Sequence, residues 1–187
     1  MSRHERKARD REERGRRIVD AAARIAEQDG WPAVTIRRLA DHIEYSAPVL
    51  YDHFPGGRAA IVNAVAVDGC RRLADEVTIA TADAAPDGRL RAAIEAYLEF
   101  AQQNPATYQA MFTLEISTEF ATENTPPELR DAFAALAAVV DDGVDAGTRA
   151  ELLWSTLHGV STLTRDGRLP ASNAEARLNG LVRMLSS

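Results

Sequence analysis

The sequence is poor in the residues that build covalent or metal-held scaffolds. Its single cysteine, Cys70, excludes an intrachain disulfide and has no neighbouring Cys or His pattern for zinc, so it reads as a small side chain within a helix. The four histidines are scattered. No Glu-x-x-His pair is present for a di-iron bundle, and no glycine-rich phosphate loop follows a strand-like run. No catalytic residue, cofactor or metal ligand is therefore expected. Long apolar runs are also missing: nothing reaches the ~18 residues of a membrane span, and the opening Met1-Ser-Arg-His-Glu-Arg-Lys-Ala-Arg has no apolar stretch behind it. The expectation is a cytoplasmic protein with no membrane partner. Glycine and proline are sparse, at 11 and 8 of 187 residues, and no strand pattern or internal repeat appears, which leaves a helix-rich chain with a packed core.

What is present is an uneven charge distribution. The net charge of -6 argues by itself against nucleic acid, yet residues 1–60 carry 12 basic and 10 acidic side chains while residues 61–187 carry 10 and 18. Residues 1–17 alone hold eight basic and four acidic groups. A basic end on an acidic body orients one end toward phosphate; a charge-rich, solvated helix start accounts for the same count.

The periodicity divides the chain into punctuated helices. Residues 1–10 read as a mobile basic arm leading into a helix with Ile18, Ala22, Ile25 and Ala26 inward, stopped by Gly30 and Trp31-Pro32. Thr35 offers an N-cap to a short amphipathic helix through Ile43, with Ile36, Leu39, Ala40 and Ile43 on one face. After a break at Glu44-Tyr45, Ser46 offers a second N-cap. Pro48 then sets the register, because proline is tolerated only in a helix's first turn. That third helix carries Leu50 and Phe54 and ends before Pro55-Gly56-Gly57.

A long helix follows from Arg58 to about Ala80, then others over about 89–103, 105–112, Pro127 to about Asp142, and a segment with Leu152, Leu157 and Val160 ending near Arg165. Asn104-Pro105 is expected to cap and open the 105–112 helix. Ser172-Asn173-Ala174-Glu175 is expected to form a capping box for the last one. The fold class is all-α: an N-terminal three-helix helix-turn-helix domain over residues 1–57 with its basic arm, and a C-terminal helical bundle over 58–187.

Two short helices joined by a tight turn and preceded by a longer one form a helix-turn-helix, in which an apolar triangle holds the second short helix proud for a major groove. Thr35-Ile36-x-x-Leu39-Ala40 followed by Ser46-x-x-x-Leu50-Tyr51-x-His53-Phe54-Pro55 resembles the DNA-binding signature of TetR-type transcriptional regulators. Trp154-x-x-x-His158-Gly159 is similar to the C-terminal class of that family known for this pattern.

The resemblance implies that Thr35, Arg37, Tyr51 and His53 touch phosphates, while Ala47, Pro48 and Asp52, beyond the Ser46 cap, face bases, Asp52 accepting from a cytosine amino group. Glu44 departs from the family's turn glycine, Pro48 from a common glycine, and Gly57 from its phosphate-binding lysine, for which Arg58 is the nearest substitute.

By the same resemblance the body encloses a small-molecule effector, with Tyr97, Phe100, Tyr108, Met111, Phe112, Trp154 and His158 as candidate lining beside Glu115 and Phe120, although such stripes also occur as plain core. The last two helices pair with their mates in a homodimer, with Leu152, Leu157, Val160, Leu178, Leu181 and Leu185 as the expected seam. The resulting expectation is a ligand-responsive repressor that binds a palindromic operator in double-stranded DNA as a dimer. A helical interaction protein with a vestigial DNA-binding head is the alternative.

Overall fold

A computed structural model describes residues 2–112, 122–140 and 145–186 of the chain. The described residues form nine α-helices and no strand: α1 (Arg3–Asp29), α2 (Ile36–Ile43), α3 (Ala47–His53), α4 (Gly57–Ala82), α5 (Arg89–Gln103), α6 (Pro105–Phe112), α7 (Pro127–Ala137), α8 (Ala146–Arg165) and α9 (Ala174–Leu185). Glu115 and Phe120 lie outside the described residues. The chain divides into two compact units. The first holds α1–α3, α4 up to Gly69, and α6 from Ala106; the second holds the rest.

In the first unit α1 begins at Arg3, so the segment expected to be a mobile arm is helical. The reason is local. The Ser2 hydroxyl accepts from the Glu5 backbone N–H at 3.2 Å and the Ser2 N–H donates to the Glu5 carboxylate at 2.6 Å, a reciprocal cap that satisfies two free donors. The helix stops at Gly30, which takes φ +78°.

From Ile18 onward α1 buries Ile18, Ala21, Ala22, Ile25 and Ala26, which meet Leu39, Ile43, Leu50, Ile61 and Val65, with Ile36 and Phe54 packed at the margin. Trp31 and Val34, which the periodicity passes over as a helix stop, are part of this core. The hydroxyl of Thr35 caps α2, accepting from the Arg38 N–H at 3.1 Å.

The N-terminus of α6 is capped differently from the expectation. Asn104 terminates α5 instead, its amide donating to the Phe100 carbonyl at 3.0 Å and its side-chain oxygen accepting from Arg72 at 2.6 Å. The carboxylate of Glu27, on α1, takes the cap. It accepts from the N–H groups of Ala106 and Thr107, each at 2.8 Å, and from the Thr107 hydroxyl at 2.9 Å. A carboxylate suits the positive end of a helix. The Trp31 indole N–H donates to the Ala106 carbonyl at 2.9 Å. A Cβ on Gly69 would come within 2.8 Å of both Thr107 and Met111, so only glycine allows this approach of α6 to α4.

In the second unit α5 buries Leu90, Ala93, Ile94, Tyr97 and Phe100 against Leu153 and Leu157 of α8 and Leu181 and Leu185 of α9. Arg91 bridges α5 to α9 through Asn179 and Glu175, each at 2.7 Å. This explains why the expected capping box at 172–175 is not formed: Glu175 is drawn to Arg91, and Asn173 caps α9 with no side-chain hydrogen bond. Of the expected seam, Leu157, Leu181 and Leu185 point inward; Leu152 is exposed, as are Leu163 and Met184.

Candidate nucleic-acid interface

The nine residues expected to face DNA all lie in the first unit. Thr35, Arg37, Ser46, Pro48, Tyr51, Asp52 and Arg58 are exposed, and Ala47 and His53 half-buried. Leu50 anchors α3 in the core at 0% exposure, and Pro48 sits in the first turn. An anchored helix one turn further on leaves its N-terminal residues facing outward. The Ser46 side chain makes no capping bond; Pro48 has no N–H to satisfy, and the Val49 and Leu50 N–H groups donate to the Ser46 carbonyl at 3.0 and 3.4 Å.

The basic start of α1 is part of this surface. Arg11 donates from one Nη to the Asp52 carboxylate and from the other to the Asp52 carbonyl, both at 2.7 Å. Arg17 donates to the Tyr45 hydroxyl at 2.9 Å with its guanidinium over the Tyr45 ring. These ties hold α3 and the turn before it against α1. They also neutralise Asp52, whose carboxylate is already engaged before any base is met. Arg11, Arg14 and Arg17 were not singled out from the sequence individually. A signal existed: stepping the buried stripe of α1 back from Ile25 and Ile18 by helical spacing reaches Arg14 and Arg11.

His53 lies close to Gly15 of α1. Burial, then Arg11 and Arg14, lower its pKa below 6.5, against a smaller upward pull from Asp52. The imidazole is thus mostly neutral at pH 7, with one N–H to donate and one lone pair to accept.

The three departures from the family pattern resolve differently. Glu44 occupies the left-handed region at φ 57°, ψ 37°, the conformation that makes glycine usual in this turn. Gly57 also has positive φ, +59°, and an added Cβ would stand 3.3 Å from the Tyr51 ring, so a side chain there is disfavoured by the backbone. Arg58 donates to the carbonyls of Val34 and Trp31, each at 2.9 Å, which commits much of its guanidinium to closing the loop before α2. Its part as a replacement phosphate ligand is reduced to the donors left over.

The candidate effector lining is dispersed. Tyr108, Met111 and Phe112 lie on α6 in the first unit, where the Tyr108 and Phe112 rings are 4.7 Å apart. Tyr97 and Phe100, in the second unit, are fully buried core. Trp154 meets Phe133 edge-on at 6.2 Å. His158 is half-buried, its pKa lowered by burial and by Arg165. The second unit instead has a cleft of about 340 Å³ among α5, α8 and α9, lined by none of these four. No described helix is long and apolar enough to cross a membrane.

Residues 18–65 match the family described as "Bacterial regulatory proteins, tetR family", and residues 90–185 match "Tetracyclin repressor-like, C-terminal domain". The chain is 36% identical over 93 residues to the uncharacterized HTH-type transcriptional regulator YobS of Bacillus subtilis, covering 50% of this chain and 48% of YobS. It is 33% identical over 99 residues to the HTH-type transcriptional repressor KstR of Mycobacterium tuberculosis, covering 53% of this chain and 45% of KstR. The matched stretch thus spans about half the length of these relatives. Among solved structures, a protein of unknown function from Rhodococcus sp. RHA1 is similar in fold, with a TM-score of 0.75 at 22% identity over 92% of this chain and 95% of that one. With one C-terminal match covering half of the sequence and an N-terminal match over the helix-turn-helix, the chain belongs to the TetR family of bacterial regulatory proteins.

Proposed function

We propose that this protein is a cytoplasmic, sequence-specific DNA-binding transcriptional regulator: a ligand-responsive repressor that binds a palindromic operator as a homodimer. One observation carries the reading. α3 is pinned by Leu50 and by the Arg11–Asp52 clamp with its N-terminal turn exposed, as a helix entering a major groove requires. Residues 1–57 supply the DNA contacts. Thr35, Arg37, Tyr51 and His53 take phosphates, while Ala47 and Pro48 meet thymine methyl groups.

Residues 58–187 sense the effector and dimerise, in the class marked by Trp154, His158 and Gly159. The seam is the exposed side of α8 and α9, where Leu152, Leu163 and Met184 stand out and the Gly159 and Gly180 positions are open. Repression is supported by the likeness to KstR. Effector binding acts through the long α4, biasing the pair of heads toward a spacing that no longer fits the operator.

Selection of bound sites from random DNA tests this directly, with an enriched two-fold site of half-sites about one helical turn or a multiple apart as the expected result. Affinity for that site falls steeply with salt, and Arg37→Ala lowers the slope by about one unit. Weak, sequence-blind binding with no enriched palindrome overturns the proposal in favour of an interaction protein with a vestigial head.

A further inference from the structure

We propose that the cleft among α5, α8 and α9 binds a small amphiphile, an alkyl chain ending in a carboxylate. This deepens the regulator reading by giving its sensing half a place and a ligand class, and it rests on that reading for its biological role.

Four observations converge. The cleft measures about 340 Å³, within the size of small-molecule sites, and Leu98, Val160, Leu178 and Leu181 give it an apolar surface. The hydroxyl of Ser161, also in its lining, is buried without a hydrogen-bond partner among the described residues. A buried, unsatisfied hydroxyl is costly, and a ligand oxygen would satisfy it.

Among the described residues, the charged side chains lining the cleft are Arg165 and Arg177 alone, although residues 61–187 as a whole carry 18 acidic groups against 10 basic. Two other hollows of this unit each include acid: Asp75 and Asp131 in one, Asp145 in the other. Finally, both guanidinium groups are weakly engaged. Arg165 reaches Asp166 at 3.4 Å and Arg177 reaches the Pro170 carbonyl at 3.5 Å, which leaves most of their donors for an incoming anion. An arginine fork matches a carboxylate's two oxygens, and the apolar lining accepts the chain behind it. A second copy of this protein is the poorer occupant, because the exposed Leu152 and Met184 of the same two helices border a different hollow.

Calorimetry on the full chain without DNA, using octanoate, 1-octanol and octylamine, tests the assignment. Octanoate binds once per chain, octanol about tenfold more weakly for want of the charge-assisted bonds, and octylamine more weakly still. The double variant Arg165→Gln/Arg177→Gln, at exposed or half-buried positions, keeps its helical circular dichroism and loses the preference for octanoate over octanol. Leu178→Trp, which fills the cleft, abolishes binding of both. Equal affinity for octanoate and octanol, a preference that survives the double variant, or no octanoate binding at millimolar concentration overturns the proposal. A double variant that changes the oligomeric state assigns the cleft to contact between copies, and also overturns it. An enriched palindrome together with any of these failures leaves the regulator reading standing and removes only this site.

Discussion

Glu44 shows how a single residue carries two costs at once. A non-glycine side chain in the left-handed region is strained by about 1 kcal/mol, and its carboxylate stands in the turn of a helix-turn-helix whose task is to approach phosphate. Glu44→Gly is expected to raise thermal stability by about 2–4 °C, read by calorimetry, and to tighten operator binding in the same preparation. His53 moves the other way with pH. Its folded pKa lies below 6.5, so the unfolded chain binds the extra proton first as pH falls. The stability this group contributes is complete above pH 6.5 and is lost as pH drops through the lowered value. If His53 meets a phosphate as proposed, that phosphate raises its pKa again, and DNA affinity is expected to rise over the pH interval in which free-protein stability declines. Fluorescence anisotropy at pH 7.5 and 6.0 shows the gain in the parent and none in His53→Gln.

Among the elements, α3 and α6 illustrate different means of support. The Arg11–Asp52 pair is more than half exposed on both sides, at 53% and 68%, so its contribution to stability is at most about 1 kcal/mol. Its effect lies in orientation. Arg11→Ala is expected to leave the melting temperature almost unchanged while operator affinity drops and discrimination against mismatched sites narrows, as competition anisotropy would show. Glu27 is the reverse case. It satisfies two backbone N–H groups and a buried threonine hydroxyl, and charge-assisted bonds of this kind are worth about 1.5–3 kcal/mol each when partly buried. Glu27→Ala therefore costs about 2–4 kcal/mol in urea unfolding, whereas Glu27→Gln, which keeps an acceptor, costs less.

On the scale of the whole molecule the governing feature is the exposed apolar side of α8 and α9. Leu152 is 58% and Met184 57% exposed, and the homodimer proposed above would cover them. Leu152→Asp combined with Met184→Asp is expected to yield a monomer in light scattering, with helical content retained and affinity for a two-fold operator reduced at least about tenfold, since each head then binds a half-site alone.

Most helix limits of the head were legible from residue chemistry alone, the exceptions being the start of α1 at Arg3 and the Ser46 cap, which forms no side-chain bond. Thr35, Pro48, Gly30 and the Leu50–Phe54 spacing act within one or two helical turns, and local backbone rules suffice for such features. The helices of the body were legible for the same reason, and the Leu-Tyr-x-His-Phe-Pro pattern pointed to the family. Tertiary structure decided what depends on partners distant in sequence. It placed Trp31 and Val34 in the core, exchanged Asn104 for Glu27 as the cap of α6, and drew Glu175 to Arg91 and away from its own helix start. It turned Leu157, Leu181 and Leu185 inward and spread the expected aromatic lining over two units. A periodicity names the apolar face of a helix but not which neighbour covers it, and a polar side chain with both local and distant partners goes to the one with better geometry and charge. The basic start of α1 shows both sides: its composition fitted a phosphate-facing end and a solvated helix start alike, and only the folded chain revealed that Arg11 ties α1 to Asp52 of α3.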